Sequence, residues 1–315
     1  MKQLICEMCG SADLIKQDGV FVCQTCGCKY SVEEARKMMI EGTVSIDGVV
    51  KTKNDDFEVR AGELIAYHGA ETDVVIPDGI KILGKECFAG MQGIESIVIP
   101  EGVYKIEIGA FYQCSRLRKI DIPKSLVEIE NGVFALCAAL AEIELPNGIN
   151  FLGHNRLKGY SGRIEIRHYG CFWGCSSLES INLPDSLNMI GDYCFNGCNS
   201  LRSINLPDSI QTIGEHCFSG CTSLKSIKLP DGIQTLERGC FCNCTSLESI
   251  IFPHNLQEIE SDCFGCLANG YYQSSLGCTS LKSVQLPDSV QILGARCFRG
   301  CTSLELIHIP DNIQK

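Results

Sequence analysis

All ten prolines of the chain, Pro77, Pro100, Pro123, Pro146, Pro184, Pro207, Pro230, Pro253, Pro287 and Pro310, fall at intervals of 23 residues, broken only by one interval of 38 and one of 34. A fixed period of this length marks a solenoid, in which each unit buries its apolar side by stacking on its neighbours. Counted from each proline, the apolar residues keep constant places. Leu117, Leu140, Leu178, Leu201, Leu224, Leu247, Leu281 and Leu304 make one column; three residues later stand Ile120, Ile143, Ile181, Ile204, Ile227, Ile250, Val284 and Ile307. Two residues further come Leu183, Leu206, Leu229 and Leu286. That last spacing is a strand period, with alternate side chains pointing inward.

Proline ends the strand because it has no N–H for a ladder, and the Asp or Gly that follows (Asp208, Asp231, Gly232, Asp288) suits a turn. A second short apolar pair follows, as in Ile210 and Ile213. The unit closes on a phenylalanine eleven residues past the proline: Phe88, Phe111, Phe134, Phe195, Phe218, Phe241, Phe264 and Phe298, with Phe172 displaced by inserted residues. A ring at every turn is a core column, worth about 3–5 kcal/mol per ring on removal.

The unit L-x-x-I-x-L-P-x-x-I-x-x-I-G-x-x-C-F-x-G-C resembles the BspA-like class of bacterial leucine-rich repeat over residues 62–315. The resemblance implies a mainly β solenoid of about ten repeats, built of short strands and short helical turns, that acts as a binding scaffold for protein partners rather than as an enzyme. In that class the residue before the phenylalanine is usually Ala; here it is mostly Cys. Glu71 stands where the first leucine would be, and a polar residue there suits an N-terminal cap over about 62–76.

All but five of the 22 cysteines lie in the repeats, many as pairs four apart, such as Cys194 and Cys198 or Cys217 and Cys221. On a helical turn such a pair shares one face, which would suit metal or redox chemistry. The same columns hold Ala110, Val133 and Met91, however, so the position asks for a small apolar group, and these thiols are expected to be buried, reduced and inert.

The remaining five cysteines open the chain. Cys6 and Cys9, then Cys23 and Cys26, form two C-x-x-C pairs, each followed by glycine (Gly10, Gly27) that lets the chain bend past a metal. Two such knuckles supply the four thiolates that a structural zinc ion takes in tetrahedral geometry. The segment ICEMCGSADLIKQDGVFVCQTCGCKY resembles zinc ribbons of the general transcription factor IIB type, with Cys28 a fifth thiol outside the ligand set. Three lysines (Lys2, Lys16, Lys29) balance Glu7, Asp13 and Asp18, so the segment has no phosphate-tracking stripe. Ser31 and Glu34 make a capping box for a short helix from Val32 to Glu41. The expected organisation is a zinc ribbon with this helix over 1–42, a hairpin and linker over 43–61, and the solenoid over 62–315.

A formal net charge of −11 argues against broad affinity for nucleic acid or anionic membranes. No apolar run is long enough to span a bilayer, and the stretch before Cys6 is too short for a lipoprotein signal, so the expected location is the cytoplasm. No phosphate-binding glycine loop, G-x-S-x-G or H-E-x-x-H occurs, and His216 and His254 read as surface residues.

Two insertions break the repeat, at about 150–168 and 267–277. In solenoids such insertions go to the surface and often carry binding. The first holds Arg156, Lys158, Arg163 and Arg167 against Glu165 alone, an inversion of the chain's overall sign. With Tyr160, His168 and Tyr169, and with Tyr271 and Tyr272 on the second insertion, these residues are the candidate partner-binding set, since Arg and Tyr carry binding energy at interfaces. The sequence thus predicts a non-enzymatic protein-interaction scaffold with one structural zinc. The alternatives are a nucleic-acid-associated regulator using the ribbon and an adhesin exported by another route.

Overall fold

The computed structural model describes residues 2–4, 14–17, 20–24, 29–31, 39–41, 56–153, 169–265 and 276–314. The chain divides into two units, Met1–Phe57 and Glu58–Lys315. In the first, strands Leu14–Gln17, Val20–Cys23 and Lys29–Ser31 form an antiparallel sheet with Val20–Cys23 at its centre. Met39–Glu41 is a strand, antiparallel to Lys2–Leu4, and so corrects the expectation that the helix begun at Ser31 runs to Glu41. Residues 32–38 lie outside the described residues, as does most of the expected hairpin and linker.

In the second unit the 23-residue period becomes a stack of parallel strands in two rows. First-row strands such as Ser96–Val98 and Lys119–Asp121 pair parallel, with Ile97 opposite Ile120. Their burial alternates: the central Ile of Lys119–Asp121 or Ser180–Asn182 is buried while both neighbours are exposed. The alternation follows from the pleat, which sends successive side chains to opposite faces. The second row, including Lys105–Ile106, Glu128–Ile129 and Thr212–Ile213, buries its second residue in the same way.

The phenylalanines stand in one ladder. Consecutive ring centroids from Phe88 to Phe298 lie 5.2–5.6 Å apart with planes within 21° of parallel. Offset parallel stacking is a favoured aromatic geometry. Neither insertion interrupts it, for Phe134 and Phe172 are 5.3 Å apart and Phe264 and Phe298 are 5.2 Å apart. The first rung is Tyr67, 5.2 Å from Phe88 and buried, so the cap contributes a ring although it lacks the leucine. Its strand, Glu63–Tyr67, is joined to an outer strand, Phe57–Arg60, by Ala61 and Gly62, whose φ values of 50° and 81° suit a two-residue hairpin turn.

The described residues contain no helix where helical turns were expected. The reason lies in the backbone: most units place left-handed residues two before and two after the phenylalanine. In the unit of Phe195 these are Tyr193 (φ 56°) and Gly197 (φ 75°); in that of Phe218 they are His216 (φ 52°) and Gly220 (φ 77°). A left-handed residue cannot be continued into a right-handed helix. The third side of each unit is therefore a pair of tight turns, tied to the next unit by main-chain bonds such as Phe195 N–H to Cys217 C=O at 2.9 Å.

Candidate interaction surfaces

Eight cysteines, seven of them three residues past a phenylalanine and Cys278 displaced from that place by the second insertion, do more than fill space. Each Sγ–H donates to the phenylalanine carbonyl of the preceding unit: Cys114 to Phe88 at 3.2 Å, Cys198 to Phe172 at 3.3 Å, Cys221 to Phe195 at 3.2 Å, and likewise up to Cys301 with Phe264 at 3.6 Å. The same carbonyls take a main-chain N–H as well, as Phe195 does from Cys198 at 3.1 Å, so both lone pairs are used. Burial drives these thiols away from ionisation, pushing Cys114 and Cys194 up to about 12. Fifteen described repeat cysteines carry free thiols. Cys242 departs from the expectation of uniformly reduced repeats, because it is disulfide-bonded. It stands directly after Phe241, a position that varies from unit to unit (Ala89, Tyr112, Asn196, Ser219), outside both cysteine columns.

Of the expected partner-binding residues, Tyr169 is described. It is half-buried, with its ring stacked 5.8 Å from Tyr112 and 4.3 Å from Trp173. Tyr112 and Trp173 each follow a ladder phenylalanine, and the unit between them has Ala135 at that place. The Tyr169 ring thus completes a short second aromatic stack, which the sequence reading missed; two rings, Tyr112 and Trp173, in a column otherwise without aromatics were its signal. Arg156, Lys158, Tyr160, Arg163, Arg167, His168, Tyr271 and Tyr272 lie outside the described residues.

His216 is not the plain surface residue that was expected. It is half-buried and stacked on Tyr193 at 5.0 Å, with Gly239 so close on the next unit that a Cβ there would meet the imidazole at 2.2 Å. Nearby, Glu215, Glu237 and Glu260 bring carboxylate oxygens within 4.8 Å of one another. The Arg238 main-chain N–H donates to Glu260 at 3.1 Å, and beside it Asp262 accepts from the Arg296 guanidinium at 2.8 and 3.1 Å and lies 3.7 Å from that of Arg238.

The outward side chains of the first row form the other extended surface. A groove of about 620 Å³ crosses the row from Arg118 and Asp121 past Glu144 and Asn182 to Asn205. A second of about 410 Å³ continues it from Asn205 to Lys228. Ser180, Ser203, Ser226, Ser249 and Ser283 run alongside.

In the N-terminal unit, Cys23 ends the central strand and is 1% exposed. Cys6, Cys9 and Cys26 lie outside the described residues. Among the described residues no helix is long and apolar enough to cross a membrane.

The family model for the BspA type leucine rich repeat region matches the chain in six copies over residues 66–166, 164–269 and 271–315. Among solved structures, a leucine-rich repeat protein from Bacteroides ovatus is 24% identical, covering 86% of this chain and 90% of its own, with a TM-score of 0.56. The T. pallidum leucine-rich repeat protein is also 24% identical, covering 73% and 90%, with a TM-score of 0.48. No curated protein matches. The first of these likenesses supports the fold of the repeats and nothing finer.

Proposed function

Because the chain belongs to the BspA-type leucine-rich repeat family, we propose that it is a non-enzymatic scaffold that binds a protein partner, with the basic insertion as one contact. The observation that carries this reading is the placement of Tyr169: the last aromatic of the basic segment is clasped between Tyr112 and Trp173, so the segment's end is fixed on a rigid stack. Fixing one end lowers the ordering cost that a surface segment meets on binding. Arg163 and Arg167 alternate with Ile164 and Ile166 along the sequence, so in an extended segment both guanidinium groups share one face.

The N-terminal ribbon has the smaller role of holding one zinc ion through Cys6, Cys9, Cys23 and Cys26, which supplies folding energy to a segment too short to build a core of its own. The thiol ladder favours a reducing compartment, in keeping with the cytoplasm, although the disulfide at Cys242 pulls the other way. Replacing Arg163 and Arg167 with Ala should leave thermal stability within about 1 kcal/mol, as at exposed positions, and lower recovery of an acidic partner in an affinity pull-down. Equal recovery of every partner would remove the insertion from the binding surface.

A further inference from the structure

One neighbouring pair in the thiol column differs from the rest. Cys278 and Cys301 hold the same place in consecutive units, and the strands that follow them, Ser283–Gln285 and Leu306–His308, pair in that same register, with Ser283 opposite Leu306. Both cysteines meet the Phe264 carbonyl: the Cys278 main-chain N–H donates to it at 3.1 Å and the Cys301 thiol at 3.6 Å. The Cys301 side chain therefore reaches across to the backbone of Cys278. One ladder step of about 4.8 Å lies within the Cα separation of about 4.4–6.8 Å that a disulfide spans.

That arrangement recurs along the column; what sets this pair apart is access. The other seven thiols that donate to phenylalanine carbonyls are fully buried, whereas Cys301 is 9% exposed. Its carbonyl bond is also the longest of the eight, 3.6 Å against 3.1–3.3 Å for the others. The Cys301 thiol has that of Cys278 as a further partner, which draws it below the ordinary thiol value, while burial holds Cys278 well above. Cys297, on the same turn, is in the opposite state. It is buried, its thiol donates to the Gly294 and Glu260 carbonyls at 2.9 and 3.2 Å, and burial pushes it up to about 11. A thiol reacts as its thiolate and only where a reagent reaches it, so Cys301 is the reactive member of the column.

We infer that Cys301 and Cys278 form an oxidisable dithiol, in which hydrogen peroxide oxidises Cys301 and Cys278 then closes a disulfide that staples the unit of Phe298 to its neighbour. The Cys301 thiolate attacks one peroxide oxygen, the O–O bond breaks, and the other oxygen leaves as hydroxide and takes up a proton to give water. Cys301 is then a sulfenic acid. The Cys278 sulfur attacks the Cys301 sulfur, the S–O bond breaks, and the displaced hydroxyl leaves with the Cys278 proton as a second water. Two thiols and one peroxide thus give one disulfide and two waters. The carbonyls that lose a thiol donor keep a main-chain one, Phe241 from Cys244 at 3.2 Å and Phe264 from Cys278 at 3.1 Å, so the bond leaves no acceptor unpaired.

The test uses the intact, reduced chain at neutral pH. A short pulse of iodoacetamide on the native protein should label Cys301 at least about tenfold faster than Cys198, Cys221 or Cys244. One equivalent of hydrogen peroxide, followed by non-reducing digestion with trypsin and chymotrypsin and mass spectrometry, should give a linked Cys278–Cys301 peptide as the first new disulfide of the two repeat columns. Cys278→Ala should leave Cys301 as a sulfenic acid that dimedone captures, and Cys301→Ala should leave Cys278 unoxidised, with circular dichroism as the check on folding. Hydrogen exchange reads the staple: the amides of Glu305 and Leu306, which donate to the Lys282 carbonyl at 2.9 and 3.3 Å, should exchange at least about tenfold more slowly after oxidation. Equal labelling of all the column thiols in the native chain, or a first disulfide elsewhere in the columns, would overturn the inference without any variant. Unchanged exchange at Glu305 and Leu306 in the oxidised chain would overturn the staple.

Discussion

Raising the pH by two units should unfold the solenoid. Thirteen repeat cysteines between Cys87 and Cys278 are at most 4% exposed and are held protonated by burial, among them most of the column that donates to phenylalanine carbonyls. Their folded pKa values stand above those of the unfolded chain, so the stabilisation is complete below about pH 8.5, the ordinary thiol value, and drains away as pH rises towards the folded values, about 12 for Cys114 and Cys194. Each unfolded thiol then releases a proton that its folded counterpart keeps. The linkage relation gives about 0.2 kcal/mol per thiol at pH 8, about 0.4 at pH 8.5 and about 0.8 at pH 9. Over thirteen thiols this is about 2, 5 and 11 kcal/mol, against a total stability of about 5–15 kcal/mol for a typical domain. Lysine and tyrosine titrate higher, so the window belongs to the thiols.

Far-ultraviolet circular dichroism under strong reductant should show a transition between about pH 8.5 and 9.5, with thiolate absorbance rising in step. Because stability in a repeat array is a sum of local terms, the loss should begin in the cysteine-paired units from Cys171 to Cys244 before those holding Ala110 and Val133. Cys221→Ala sharpens the test. At neutral pH it should cost about 1 kcal/mol through the missing Sγ–H bond to Phe195, and at pH 9 most of that cost should vanish, since the variant has one thiol fewer to lose. A native spectrum retained to pH 10, or thiolate absorbance that rises while the spectrum stays native, would refute the reasoning.

Two further outcomes follow from the core and from the N-terminal unit. Phe218→Ala should cost about 3–5 kcal/mol, since its ring is fully buried between Phe195 and Phe241 at 5.5 and 5.6 Å; limited proteolysis should then cut first in the units on either side, and an unchanged cleavage pattern would argue that the rungs are independent. Metal analysis of chain purified without chelator should give one zinc, lost when Cys23 is replaced by Ser; an N-terminal unit that stays folded without metal would remove zinc from its structure.

The period, the buried Ile at the centre of each first-row strand and the phenylalanine ladder were legible because they depend on spacing within one unit. What was not legible depends on the next unit. The role of Cys221 as a donor needs the Phe195 carbonyl, 26 residues away, and in sequence it is hidden by the equal suitability of a small apolar residue. Tyr67 was passed over as a rung because its unit lacks the leucine that marks the others. The expected helical turns failed at residues such as Tyr193 and His216, whose left-handed backbone is imposed by the stack; the glycines two past most phenylalanines were its only local sign. For the candidate surfaces, the basic insertion was evident from charge alone. The lack of a strand at Ser203–Asn205 was not, for its sequence is identical to that of Ser180–Asn182, which pairs with Glu142–Glu144.

The unbroken ring spacing across both insertions separates the length of a unit from its place in the stack. A unit of 38 residues sits on its neighbours as one of 23 does, because position is fixed by the strand pairs and by the ring while the surplus chain leaves between them. Lengthening such an excursion costs little, about 0.6 kcal/mol per doubling of a flexible loop. The scaffold can therefore acquire or exchange recognition segments before the phenylalanine of a unit, as in the first insertion, or after it, as in the second, without refolding the rest. A new specificity then requires only an inserted segment, and the register of the solenoid is inherited unchanged.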